Sequence, residues 1–172
     1  MTRHASTFNP AVAGKASDGQ PMTHTQEYGT PISLADAKQV ASSAELEATA
    51  HGWAVVVAIV GSSGHLVLLR KMDQAQYGSI DVAQAKANTA LNFKRPSKTF
   101  EDALARGGLH LRLLATDGIC PLEGGLPLIQ NGRIVGAIGV SGAQSNEDGQ
   151  VAMVGASAIG GQQTPKPAAS HQ

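Results

Sequence analysis

The sequence predicts one domain of the α+β class, in which helices pack on an antiparallel sheet. The apolar patterns follow the order helix, hairpin, helix, short helix, hairpin, helix along the chain. Asn131-Gly132 separates two apolar runs, and this dipeptide is a strong hairpin signal because a type I′ turn needs positive φ at both central residues. A length of 172 residues is also typical of one domain with a single hydrophobic core.

The domain is expected to occupy residues 31–160. Residues 1–30 are rich in polar residues, glycine and proline and show no periodicity, so they predict a flexible arm. Residues 161–172 have the same character and predict a disordered tail.

The first half of the domain is expected to hold one helix and one hairpin. Ser33 is a candidate N-cap for a helix that ends before Gly52. Residues 54–60 form a β-branched run without polar interruption, typical of a strand covered on both faces. A turn over residues 61–64 and a strand over residues 65–71 complete the hairpin.

Two helices then precede the second hairpin. Ser79 is expected to cap a helix that ends at Pro96, with Lys86 away from its apolar face. Ser97 is expected to cap a short third helix closed by Gly107. After the second hairpin, Ser145 or Asn146 can cap the last helix.

Glycine recurs through the second strand of the Asn-Gly hairpin, at positions 136, 139 and 142. Glycine weakens a strand intrinsically, so this pattern predicts that a helix, a neighbouring subunit or a ligand approaches the backbone closely.

Composition narrows the classes of partner. Thirteen basic and thirteen acidic residues cancel, which disfavours nucleic acid and a membrane surface as partners and favours a small molecule or a second copy of the chain. Cys120 is the single cysteine, so an internal disulfide is impossible. The polar first thirty residues are unlike a secretory signal, and we therefore expect a cytoplasmic protein.

Two segments are candidates for binding a carboxylated ligand. Arg95 and Ser97 lie at a helix junction, where a planar guanidinium, a hydroxyl and helix N-terminal amides suit a carboxylate or propionate. Gly124 and Gly125 can expose amides to an anionic or carbonyl oxygen. We expect these segments to meet in one cleft; the alternative is a solvated capping turn.

Three further residues are candidates for catalysis together with Arg95. Glu123 beside the double glycine could serve as general acid or base if burial raised its pKa, or it could be a solvated loop residue. Cys120 is either reactive or a small buried hydrophobe. His110, which Asp117 could orient, lies in an irregular segment. No metal-ligand spacing links the histidines.

Two stretches resemble a known family. Residues 124–143, GGLPLIQNGRIVGAIGVSGA, resemble its pattern of GG-hydrophobic-Pro, a hairpin with Asn/Asp-Gly, and VGAIGVSG. Residues 83–97, AQAKANTALNFKRPS, resemble its helix carrying KAxTA and its R-P-[ST] turn. On these motifs the chain resembles the GlcG/HbpS-like family, also called haem-degrading or PduO C-terminal-like.

This resemblance implies a profilin-like three-layer sandwich, with a five-stranded antiparallel sheet flanked by helices and assembled into a homo-oligomer. It also implies haem or corrinoid as possible cofactors, with Ser97 at the position of a threonine implicated at the haem. The chain departs from the family pattern with Cys-Pro-Leu-Glu ahead of the double glycine.

Three functions remain open on these grounds. The first is a binding or accessory protein for haem, a corrinoid or a small carboxylated catabolite, with a pocket formed by Arg95, Ser97, Gly124 and Gly125. The second is a cofactor-independent hydrolase, deaminase or tautomerase of aromatic catabolism, acting on an unsaturated ring-cleavage acid with Glu123 as acid/base. The third is an oligomerisation module without a pocket.

Overall fold

An antiparallel sheet between two layers of helices forms the centre of the molecule in the computed structural model, which describes residues 26–160. The helices are α1 (Leu34–His51), α2 (Ser79–Asn92), α3 (Lys98–Ala105) and α4 (Ser145–Gly160), with a 3₁₀ segment at Gly108–Ala115. The strands are β1 (Val56–Gly61), β2 (Leu66–Lys71), β3 (Gly125–Gln130) and β4 (Arg133–Ser141). The predicted arm up to residue 25 and the predicted tail from residue 161 lie outside the described residues.

The α+β class is confirmed, but the expectation of five strands is wrong for the described residues, which form a sheet of four strands in the order β2-β1-β4-β3. Ahead of the predicted domain boundary, Tyr28 makes an isolated parallel bridge with Ile134. The segment does not become a fifth strand because Pro31 offers no amide for pairing and the chain then turns into α1 at Ser33.

The two faces of the sheet are covered by different helices. Residues 55, 57 and 59 of the β1 region pack with α1 and α4 in one buried cluster. The intervening residues of β1 pack against α2 on the other face. Strand β1 is therefore buried along its whole length, as its β-branched run predicts. None of the helices within the described part of the chain is long and apolar enough to span a membrane.

Helix α2 lies in direct backbone contact with the last hairpin, and two glycines make this possible. A Cβ on Gly139 would overlap the carbonyl oxygen of Ala83, and a Cβ on Gly125 would overlap that of Lys86. The predicted close approach to the glycine-rich strand is thus confirmed at Gly139, and the approaching element is a helix of the same chain.

The local signals differ in how well they predict the structure. Asn131 and Gly132 have φ values of 52° and 75°, as a type I′ turn requires. Ser33 caps α1 by accepting a hydrogen bond from the amide of Asp36. The capping role expected of Ser97 is wrong, since its side chain makes no cap hydrogen bond and turns towards the double glycine instead.

We expect Gly139→Ala to destabilise the fold, because the added methyl group must push α2 off the sheet. Overpacking of this kind costs about 1–3 kcal/mol or more, and urea denaturation measures it. Gly78→Ala is the matched control, because Gly78 has helical φ and ψ and a Cβ there would meet no other atom. The stability of this variant should equal that of the wild type or be slightly higher. Equal midpoints for Gly139→Ala and the wild type would contradict the proposed close contact.

Candidate functional site

The Arg-Pro-Ser turn and the double glycine do meet in space. The Ser97 hydroxyl donates to the carbonyl of Leu122 at 2.6 Å and accepts from the amide of Gly125 at 2.8 Å. The amide of Ser97 donates to the carbonyl of Gly125 at 3.0 Å. Ser97 is fully buried and Gly124 is buried beside it. The five polar atoms of this junction thus bond to one another, and Ser97 joins the start of α3 to β3.

Arg95 is turned towards its own loop. Its Nε donates to the carbonyl of Phe93 at 3.0 Å, and its guanidinium lies 5.7 Å from the ring centroid of Phe100. Within residues 26–160 no ion pair joins Arg95 to Glu123. The predicted role of Arg95 in clamping a ligand carboxylate stays a prediction.

Glu123 lies between α3 and α4. Its carboxylate contacts Lys98, with 3.0 Å between Oε2 and Nζ, and its amide donates to the Glu101 carboxylate. The hydrogen bond to Glu123 is the main reason that the pKa of Lys98 is raised. Glu123 also packs against Gly149, where any side chain would collide with its carboxylate. This environment holds Glu123 as an ion-paired residue, and its predicted acid/base role stays a prediction.

Cys120 and His110 occupy different environments. The amide of Cys120 donates to the hydroxyl of Thr89 at 2.8 Å. Burial raises the pKa of the Cys120 thiol, which disfavours the reactive thiolate at neutral pH. His110 is exposed on the 3₁₀ segment, with Nδ1 3.3 Å from the carbonyl oxygen of Gly107. Their catalytic roles remain untested predictions.

A cleft of about 320 Å³ lies near the double glycine, since Leu122, just before Glu123 and Gly124, is part of its lining. The starts of α2 and α4, the end of β4 and the segment before β3 enclose it. Its lining combines polar side chains with a few apolar ones: Gln76, Gly78, Ser79, Val82, Lys86, Leu122, Ser141, Ala143, Ser145 and Asp148. We call this space the α2–α4 cleft.

An ion pair between Lys86 of α2 and Asp148 of α4 forms the floor of the α2–α4 cleft. The distance from Lys86 Nζ to Asp148 Oδ2 is 2.7 Å, and the two side chains are only 2% and 3% exposed. Lys86 Nζ also donates to the carbonyl of Val140 at 2.9 Å. Asp148 Oδ1 accepts from the amide of Ala143 at 3.0 Å. The pair therefore joins helices from opposite faces of the sheet at the end of β4.

Burial raises the pKa of Asp148 because it disfavours the charged carboxylate. The hydrogen bond from Lys86 and its charge oppose this rise, as do the amides of Ala143 and Gly142. Asp148 is thus a carboxylate held between strong desolvation and a close cation, which is an arrangement frequent at functional sites.

Two serine hydroxyls lie on the wall above the ion pair. Ser141 donates to Ser79 at 3.3 Å between the two Oγ atoms, and both residues are buried. Gln76 and Ser145 line the mouth, where Ser145 begins α4. The α2–α4 cleft thus offers hydroxyl, amide and ammonium donors within one small space.

The expectation that Lys86 lies away from the apolar face of α2 is wrong. Lys86 follows Ala83 by three residues and precedes Ala90 by four, so helical spacing alone puts it beside that face. This signal was available in the sequence. Asp148 had no such signal, because an acid in the first turn of a helix is common on electrostatic grounds.

The family model described as "Haem degrading protein HbpS-like" matches residues 32–157 of this chain. An uncharacterised 15.0 kDa protein of Citrobacter freundii is 35% identical over 129 residues, which are 74% of this chain and 90% of the relative.

Solved structures of two other proteins are similar to this fold. A double mutant of HbpS from Streptomyces reticuli has a TM-score of 0.70 at 32% identity, covering 88% of this chain and 99% of that one. PduOC, solved in complex with haem, has a TM-score of 0.68 at 26% identity, covering 76% of this chain and 96% of that one.

We expect Lys86→Met to destabilise the fold by about 3–5 kcal/mol, because it leaves the Asp148 carboxylate buried without its cation. Chemical denaturation measures the loss. Lys38→Met, which changes an exposed lysine of α1, is the control and should alter stability by less than about 0.5 kcal/mol. A Lys86→Met protein as stable as the control variant would show that the pair does not form.

Proposed function

Because the chain belongs to the family of haem-degrading HbpS-like proteins, we propose that it is a small-ligand-binding protein whose ligand is a small carboxylate held in the α2–α4 cleft. The Lys86 ammonium on the cleft floor is the observation that carries this proposal. An ammonium has three protons to donate, and Lys86 gives two of them to Val140 and Asp148. In this proposal a ligand oxygen accepts the third.

The walls of the cleft support a polar ligand with a short carbon chain. Ser79, Ser141 and Ser145 supply hydroxyl groups, while Val82 and Leu122 supply apolar surface. The volume of about 320 Å³ is at the lower end of the range of small-molecule sites, about 300–1,000 Å³. A dicarboxylate or oxo acid of a few carbons suits this size better than a tetrapyrrole.

A solved relative binds haem. Ser97, the residue that the family resemblance implies for haem binding, does not fit that role in this chain. The oxygen of Ser97 is fully buried and takes part in hydrogen bonds with Leu122 and Gly125. It therefore has no open direction for an iron atom. No group of three potential metal-ligating side chains occurs in the described part of the chain. The tetrapyrrole is thus the second candidate ligand, supported by the PduOC complex with haem.

We also propose that copies of this chain associate with one another. The 3₁₀ segment buries none of its residues and exposes three leucines, Leu109, Leu111 and Leu114. Together with the zero net charge, this apolar surface supports the predicted homo-oligomer.

We expect titration calorimetry to detect binding of succinate or 2-oxoglutarate, and Ser145→Asp to weaken it by about tenfold or more. The new carboxylate would repel the ligand from the cleft mouth, while an acid at a helix start is compatible with folding. Ala35→Asp puts the same charge into the first turn of α1, outside the cleft, and should bind like the wild type.

Haemin and cobalamin are titrated in parallel and followed by absorbance. If neither succinate nor 2-oxoglutarate binds, the proposed carboxylate site is overturned. Haemin binding alone, unaffected by Ser145→Asp, would assign the ligand to the tetrapyrroles and place it elsewhere on the protein.

A further inference from the structure

A contribution to stability does not by itself explain the buried ion pair between Lys86 and Asp148. Removing two charges from water is costly, and an apolar pair of similar volume is often equally stable or more stable. The start of α4 does not depend on Asp148 alone, since Glu147 accepts a hydrogen bond from the amide of Gln144 at 2.9 Å. An ion pair at the floor of an open cleft therefore indicates chemistry.

We propose that the α2–α4 cleft catalyses cofactor-independent proton transfer on a small oxo or unsaturated carboxylate, with Asp148 as the acid/base group and Lys86 as the group that stabilises the developing negative charge. This inference rests on the proposed function, since it requires the carboxylate to bind in the same cleft. It places the acid/base role on a residue that lines the cleft and precedes Gly149, against which Glu123 packs.

The transfer is balanced without an oxidant or a reductant. Asp148 takes a proton from the carbon next to the carbonyl group, and the electrons of that C–H bond form a carbon–carbon double bond. The carbonyl π electrons move onto oxygen, where the Lys86 ammonium and the hydroxyls of Ser79 and Ser141 are placed to donate. Asp148 exchanges this proton with solvent and delivers one to the same carbon or, in an unsaturated acid, to the far end of the original carbon–carbon double bond. The electrons on oxygen then re-form the carbonyl group.

The surroundings of Asp148 set a close cation against burial of the carboxylate. Lys86 is its close cation, and Ala143 supplies a backbone donor. Glu123 packs against the neighbouring Gly149, and Glu147 precedes Asp148 on α4. Burial opposes the charge on Asp148 and raises its pKa. Lys86, Ala143 and Gly142 donate to the carboxylate, which leaves about one of its four lone pairs for a substrate proton.

The test follows deuterium entering 2-oxoglutarate, and the shift of the double bond in trans-3-hexenedioate, by proton NMR in D₂O. We expect the wild type to accelerate at least one of these reactions over buffer. Asp148→Asn should lower that rate by about a hundredfold or more, since general acid–base groups contribute about 10²–10⁴-fold. Glu45→Gln, which changes a carboxylate of α1 that is paired with Arg70 and lies outside the α2–α4 cleft, should retain the wild-type rate.

The rate of the wild type should also rise with pH as Asp148 loses its proton, and this profile needs no variant to fold. Circular dichroism and calorimetry establish whether Asp148→Asn folds and binds the probes. Binding of a probe by the wild type without exchange or isomerisation would overturn the catalytic proposal and leave the binding proposal intact. Turnover that survives in folded Asp148→Asn would overturn the role of Asp148. Absence of binding would contradict the proposed function itself.

Discussion

The contact between Lys86 and Asp148 is the interaction on which the geometry of this molecule depends. Gly125 and Gly139 let the backbone of α2 rest directly on the last hairpin. This close approach buries Lys86 at the end of β4, where its charge has to be compensated. Asp148 supplies the compensation from α4, on the other helical layer. The two helical layers are thereby joined at one end of the sheet.

The same constraint creates the cleft. The cleft lies beside the pair that joins Lys86 of α2 to Asp148 in the first turn of α4, and it is lined by the hydroxyls of Ser79, Ser141 and Ser145. The double glycine contributes indirectly: it allows α2 to pack closely, and its own polar atoms are engaged with Ser97 and β4. The proposed chemistry accordingly lies beside the glycine motif and not on it.

Local chemistry explains which features the sequence could predict. Asn131-Gly132 and the β-branched run of β1 specify their structures within a few residues. Ser97 shows the limit of local reasoning, because its hydroxyl has a partner 28 residues away that competes with the helix end. The pair of Lys86 with Asp148 spans 62 residues, and only the fold brings these residues together. The resemblance implies a fifth strand, whereas the segment before α1 makes only the isolated bridge at Tyr28.

Lysine ammonium NMR tests the central claim most directly, namely that the ligand is received at Lys86. In protein labelled with ¹⁵N at lysine Nζ, the buried ammonium should give a signal protected from solvent exchange, assigned by its loss in Lys86→Arg. Saturation with 2-oxoglutarate should shift this signal while those of exposed lysines such as Lys38 stay in place. An unchanged Lys86 signal under saturating, calorimetrically verified binding would place the ligand elsewhere and contradict the account.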